Sequence, residues 1–400
     1  MNQMNWGPLG PPSPPPLPPS APLPVVFSGN RREFFRLVTR GAALELVTVG
    51  FYRFWLATDI RRHLWSNTQI DGDAAEYTGR GKELLIGFLF ALAIVVPVYL
   101  AYFIVSLEAE RLKALASLPL LAFFYLFGQF AIYRARRYRL TRTVWRGVRF
   151  WMNGSGLIYA ALAALWALLM ILTVGLILPW REAALERYKM RHCYYGDLQG
   201  SFEGRGWDFF KQGWWLWLLA IVSLGALLLT KFIPFAPLVL LVLGPFIYGL
   251  FKAVEWRWWL SGIRFGRVRL ESTMLRGALV GLYWKVIGWS LLISVIFGAY
   301  VFGCAALVAK MDQTPIAKLF IATDWRGSIP MIVAAAAGYL AFILGMNVVL
   351  RVYLQRDLWV RAAASTVVHD LDAAGNVLAT GDLAGAIGEG LADGLDVVGF

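Results

Sequence analysis

The sequence has little sulfur or imidazole, with two cysteines and three histidines in 400 residues. Cys193, Cys304, His63, His192 and His369 stand alone, with no CxxC, HxxxH or HExxH spacing. No metal site, disulfide framework or cofactor is therefore expected. Charge is scarce too: 16% of residues are charged and 58% are apolar, against about 25% and roughly 45 to 50% in soluble domains. This excludes a soluble enzyme and places the chain in a bilayer, where length counts spans instead of cores. No Ser–His pair, helix-borne carboxylate pair or metal cluster is present, so no catalytic residue is expected and the chain reads as a non-enzyme. A basic-then-apolar leader is also missing, because ten of the first 24 residues are proline. Residues 1–24 read as a disordered, extended tail.

What is present is long apolar runs, at residues 83–106, 114–133, 212–230, 233–252, 278–309 and 328–350. Most reach the roughly 20 residues that a helix needs to cross hydrocarbon. They fall into close pairs that read as helical hairpins. Two further segments, 36–56 and 156–180, are interrupted by Arg36, Arg40, Glu45 and Arg53 in one and by Gly175 and Pro179 in the other. If both return to the side they entered, nearly all loop Lys and Arg fall on one side, which the positive-inside bias favours. The expectation is an all-α polytopic membrane protein with six to eight membrane helices in repeated hairpins. Short cytoplasmic β-strand/turn modules join them, and both termini are cytoplasmic.

A repeat at an offset of 125 residues supports the pairing. Thr48-Val49-Gly50 and Trp55 recur as Thr173-Val174-Gly175 and Trp180, Arg62 as Arg187, and Gly79-Arg80-Gly81 as Gly204-Arg205-Gly206. Gly50, Trp55, Gly79, Gly175, Trp180 and Gly204 are the expected structural residues of the motif. A smaller module, aromatic-x-Gly followed by an acid, opens apolar segments at Phe27, Tyr77 and Phe202, and Glu33, Glu83 and Asp208 read as helix-start carboxylates. Gly147-Val148-Arg149-Phe150 returns as Gly262-Ile263-Arg264-Phe265. The units expected are residues 25–139 (segment 36–56 plus hairpin 83–133), 140–257 (segment 156–180 plus hairpin 212–252) and a diverged third at 258–366 (hairpin 278–350). Gly72-Asp73 and Gly196-Asp197 read as turns.

Between each Trp and the next Gly-Asp pair lies a basic, aromatic helix. Arg61, Arg62, Arg187 and Arg191 there are candidate contacts for anionic lipid. The net charge of +13 then follows from topology, and nucleic acid is excluded as a partner because the arginines are tied to span ends. Residues 367–400 carry six acids and no Lys or Arg. Residues 367–371 and 376–379 are expected to pair as a β-hairpin, followed by a weak helix carrying Leu383, Ile387 and Leu391.

The stretch 25–35, the Thr-Val-Gly run to Trp55, the basic helix after it and Tyr77-Thr78-Gly79 together resemble the opening of the YjgN-like bacterial inner-membrane proteins, a domain-of-unknown-function family. The likeness runs from Val25 onward, with Phe54 where that family's motif has proline and Pro179-Trp180 kept in the second copy. It implies a polytopic protein of the bacterial cytoplasmic membrane and transfers no catalytic residue. The functional expectation is transport or handling of a lipid or other weakly charged solute. The alternative is a membrane scaffold that organises partners or anionic lipids at the cytoplasmic face. Membrane lipids are the expected partners, with a protein partner at either tail.

Overall fold

Ten short strands alternate with pairs of helices in the computed structural model, which describes residues 21–108, 113–228, 236–311 and 329–381. Most of the Pro-rich start, and the helix expected at 383–391, lie outside these residues. Strand β1 (Leu23–Phe27) leads into helices α1 (Arg31–Val47) and α2 (Arg53–Ser66), and strands β2 (Thr68–Ile70) and β3 (Asp73–Tyr77) follow. Helices α3 (Gly81–Glu108) and α4 (Lys113–Thr141) precede β4 (Thr143–Trp145) and β5 (Val148–Met152). The next pair, α5 (Gly156–Leu172) and α6 (Leu178–Arg191), leads to β6 (Cys193–Tyr195) and β7 (Leu198–Phe202). Then come α7 (Gly206–Leu228), α8 (Ala236–Gly262), β8 (Ile263–Phe265) and β9 (Val268–Ser272). The last unit comprises α9 (Val280–Met311), α10 (Ile329–Leu350), a π-helical stretch Arg351–Asp357, α11 (Leu358–Ala364) and β10 (Thr366–His369).

All ten strands pair antiparallel in chain order, and β1 pairs with both β2 and β10, closing a barrel. This corrects the all-α expectation of six to eight membrane helices. Strands of three to five residues show at most two or three alternations, too few to stand out beside helices of 28 or 29 residues. Among the described residues four helical stretches are long and apolar enough to cross a membrane: Gly81–Val105, Ser117–Thr141, Val280–Lys310 and Ile332–Ala364. The expected C-terminal hairpin is also corrected. β10 pairs with β1 and β9, residues 376–379 form no strand, and Leu371–Ala374 is a single 3-10 turn. Satisfying two strand edges at once outweighs a local hairpin, because an open edge leaves a row of unpaired backbone groups.

The hairpin turns lie at the barrel mouth away from the helices. Asp71-Gly72 and Arg146-Gly147 have positive φ at both positions, the geometry that matches strand twist in two-residue turns. Both ends of the described chain reach this same mouth, where Leu371, Ala374 and Val377 pack against the barrel residues Trp145, Tyr195 and Val268. At the opposite rim the helices stand side by side. Each packs on its successor and α10 packs on α1, so the helical layer closes in the same order as the sheet.

Segments 36–56 and 156–180 are not single helices but helix–turn–helix pairs that leave the rim and come back to it. Thr48-Val49-Gly50 and Thr173-Val174-Gly175 form their tips as Schellman turns. Gly50 N–H donates to Glu45 O at 2.7 Å and Gly175 N–H to Met170 O at 2.8 Å, with Val49 and Val174 both at φ 51°. A β-branched residue in that region is strained, so the turn is held by its hydrogen bonds and not by valine's own preference.

The aromatic-x-Gly module has a packing cause. A Cβ at Gly29, Gly79 or Gly204 would lie 2.5 to 2.7 Å from the ring of Phe27, Tyr77 or Phe202. Glu33, Glu83 and Asp208 sit in the first turns of their helices as expected. Glu83 also ties α3 to α4, accepting from Tyr138 Oη at 2.7 Å and pairing with Arg142 at 3.0 Å. At the start of α3 a Cβ on Gly81 would meet the Trp55 Cα at 2.9 Å, and one on Gly206 would meet the Trp180 Cα at 2.9 Å. Backbone cannot step aside as a side-chain end can. Gly81→Ala and Gly206→Ala should therefore each destabilise by about 1 to 3 kcal/mol, read as parallel drops in thermal unfolding of detergent-purified protein.

Candidate functional site

One residue in two of each strand points into the barrel. Val25, Ile70, Ala75, Trp145, Phe150, Tyr195, Leu198, Phe265, Val268, Leu270 and Val368 line the lumen, as the period of two along a strand requires. An eight-stranded barrel is just filled by side chains, and ten strands leave room. The space runs on past the rim into the helix ring, giving one cavity of about 1130 Å³.

Above the apolar lumen the wall changes character. The helical part carries Arg53, Arg61, Arg136, Arg139, Lys189, Lys252 and Arg351 against Glu45, Glu182, Glu186 and Glu255, an excess of positive charge. Buried charges persist only when paired and hydrogen-bonded, and most of these are. Arg136 Nη1 lies 3.0 Å from Glu186 Oε2, with its guanidinium over the Trp259 ring at 5.9 Å, and Lys189 takes the other Glu186 oxygen. Arg351 binds both Glu45 oxygens, at 3.0 and 2.6 Å. Lys252 pairs with Glu255 at 2.5 Å, and Arg181 with Glu182.

Glu182 and Glu186 lie one turn apart on α6 and behave oppositely. Burial alone would raise the Glu186 carboxyl, but Arg136 and Lys189 outweigh it and hold the group down at about 2. Burial pushes Glu182 up, and the opposing pull of Arg181 and Lys189 does not cancel it. Cys193, at the rim of the lumen, is pushed up to about 11 by burial. Among the described residues no three His, Cys, Asp or Glu side chains gather as metal ligands would.

The four arginines read as lipid contacts separate. Arg61 is buried, donates to Tyr77 Oη at 3.3 Å, and lines the cavity. Arg62 lies outside it, with Nη2 donating to Gly79 O at 2.8 Å. Arg187 and Arg191 are exposed on α6. Of the motif residues, Gly50 lines the cavity at the hairpin tip, while Gly79, Gly204, Trp55 and Trp180 build the helix junctions outside it. Gly175 forms the second tip.

Sequence reasoning passed over Arg136, Glu182, Glu186, Lys189, Lys252, Glu255 and Arg351. The signal available was helical spacing: Glu182, Glu186 and Lys189 fall on one face of a helix, as do Lys252 and Glu255. Glu45 and Arg53 were visible as charges within an apolar segment.

Glu186→Gln strands two cations, so stability should fall by roughly 3 kcal/mol at neutral pH. Glu182→Gln should leave stability unchanged or raised. Because the folded Glu186 is depressed, its contribution is present above about 4.5 and is lost as pH falls toward about 2. Chemical unfolding of both variants between pH 7 and pH 3 checks this, and the gap between wild type and Glu186→Gln should narrow on acidification.

Residues 22–394 match the family model DUF898, described as a bacterial protein of unknown function. No curated protein matches the chain, and no solved structure does. The YjgN-like resemblance agrees, since that group falls within the same family. With nearly the whole chain matched, this protein belongs to DUF898, a bacterial family of unknown function.

Proposed function

We propose that the protein binds and handles an amphipathic, lipid-like molecule of weak or negative charge, without catalysis, in the bacterial inner membrane. The observation that carries this reading is the cavity, whose apolar lumen continues into a helical section with more Lys and Arg than Glu. An apolar tail is accommodated by the first and a head group by the second. The cavity lining includes Leu340, Ile343 and Leu344 of the span Ile332–Ala364, which supports exchange with the bilayer.

The outer surface supports the location. Large apolar side chains are exposed along the spans, among them Leu100, Ile104, Leu118, Val295 and Val333, far beyond the patch size that water tolerates. Arginines concentrate at the barrel end of the helices, from Arg134 to Arg149 and from Arg257 to Arg269, which favours a cytoplasmic barrel. The matching tips, junctions and hairpins of the first and third helix pairs support an internal repeat as the origin of the ring.

Filling the lumen tests the reading. Wild type purified in mild detergent should retain bound lipid, seen by native mass spectrometry. Ala75→Trp and Leu270→Trp should lower the retained fraction about tenfold, with melting temperature as the control for folding. Unchanged retention in well-folded variants contradicts the proposal and favours a scaffold that binds lipid only on its outside.

A further inference from the structure

Arg53 opens α2 beside the tip of the first helical hairpin and lines the cavity. The nearest acid that acts on it is Glu45, but both Glu45 oxygens are already taken by Arg351. Two guanidinium groups thus share one carboxylate. Among the described residues the Arg53 guanidinium has no hydrogen bond or ion pair of its own and makes only ring contacts, over Phe54 at 5.6 Å and Phe88 at 6.0 Å. Asn347, on α10, lines the same part of the cavity, and its side-chain amide has no hydrogen-bond partner among the described residues.

The hairpin does not need these charges to fold. At the offset of 125, Glu45 corresponds to Met170 and Arg53 to Leu178. The α5–α6 hairpin forms the same Schellman tip with those apolar residues in place. An uncompensated guanidinium in a mostly apolar setting is costly, and its cost falls when an anion arrives.

The surroundings fit a tail beside that anion. Leu46, Val49, Leu340, Ile343 and Leu344 line this end of the cavity, and Val49 is 88% exposed on the outer apolar surface. The cavity therefore reaches the surface that lipid would cover.

We infer that Arg53, with Arg351 and the amide of Asn347, forms a head-group site for a singly charged anion, a phosphodiester or carboxylate, at the seam between the α1–α2 tip and α10. Arg53 makes the new ion pair, Asn347 donates a hydrogen bond, and Arg351 stays bound to Glu45 while adding to the positive field. This rests on the lipid-handling reading and names its head-group chemistry. Burial, the largest influence, lowers the Arg53 guanidinium from its ordinary value, a direction that a bound anion reverses.

The test uses the full chain in detergent with three fluorescent-tailed probes, phosphatidylglycerol, phosphatidylcholine and diacylglycerol, and with inorganic phosphate as competitor. Wild type should prefer phosphatidylglycerol to diacylglycerol by about tenfold. Arg53→Gln should remove most of that preference and leave diacylglycerol binding unchanged, and Arg53→Lys should restore part of it. Asn347→Leu should weaken phosphatidylglycerol alone, by a smaller factor.

Equal loss of all three probes in Arg53→Gln would make Arg53 structural and overturn the site. Equal binding of the three by wild type would overturn it as well. Phosphate that competes at millimolar concentration, and only when Arg53 is present, supports the anion site and identifies a free anion as a second source of the same chemistry. The broader reading fails separately, when wild type binds no tailed probe or when Ala75→Trp leaves tail binding intact.

Discussion

Closure is the constraint on which the remaining structure depends. The first strand and the last meet as neighbours, Leu23 opposite Val368 and Pro24 opposite Val367. Without that pairing, β1 and β10 would each present a free edge, and the lumen would be a groove. The helical layer is sealed at the same seam. Arg31 reaches Asp357 at 3.0 Å, Arg356 Nη2 donates to Gly29 O at 2.9 Å, and Trp65 stacks on Trp359 with centroids 4.8 Å apart. Glu45 and Arg351 add a bidentate ion pair farther from the barrel. Sheet and helices are therefore joined between residues more than 290 positions apart in the chain.

Charge inside so apolar a protein needs a reason beyond folding. A buried ion pair roughly breaks even against a well-packed apolar pair, so the ring gains little stability from the Glu186 cluster or from Glu45 and Arg351. What these pairs do give is a polar wall facing an enclosed space. The pairs neutralise most of that wall, and on the proposed lipid-handling reading the cations left over set the sign of the ligand. Contrasting behaviour at Glu182 and Glu186 follows from the same geometry: Glu186 is flanked by two cations in contact, whereas Glu182 has one close partner and the acids Glu186 and Glu255 within its field.

Legibility in the sequence followed element length. Helices of 28 to 32 residues, such as those opening at Gly81 and Val280, impose their apolarity on any reading. The barrel did not, because Thr68–Ile70 or Cys193–Tyr195 is too short to show a period. Its turns could be seen one by one at Gly72-Asp73 and Gly196-Asp197 without revealing that they share a mouth. The offset of 125 residues was visible because it carries α1–α2 onto α5–α6, two similar hairpins, and it skips the longer pair between them. Unlike helix pairs in alternate positions hid the shorter spacing of one strand–helix–helix–strand unit. Likewise Arg53 could be noticed as a charge in an apolar run, while its relation to Arg351 exists only because the ring closes.

The most direct measurement is a cross-link across that closure. Pro24→Cys and Val367→Cys replace residues directly opposite in an antiparallel pair, whose Cα separation of about 4.5 to 5.5 Å suits a disulfide. In a background of Cys193→Ser and Cys304→Ala, mild oxidation of isolated membranes should convert the double variant to a reducible, faster-migrating monomer in high yield. Each single variant should stay unchanged. Failure of the two thiols to join in folded protein would mean that the first and last strands do not meet, and the enclosed cavity would go with them.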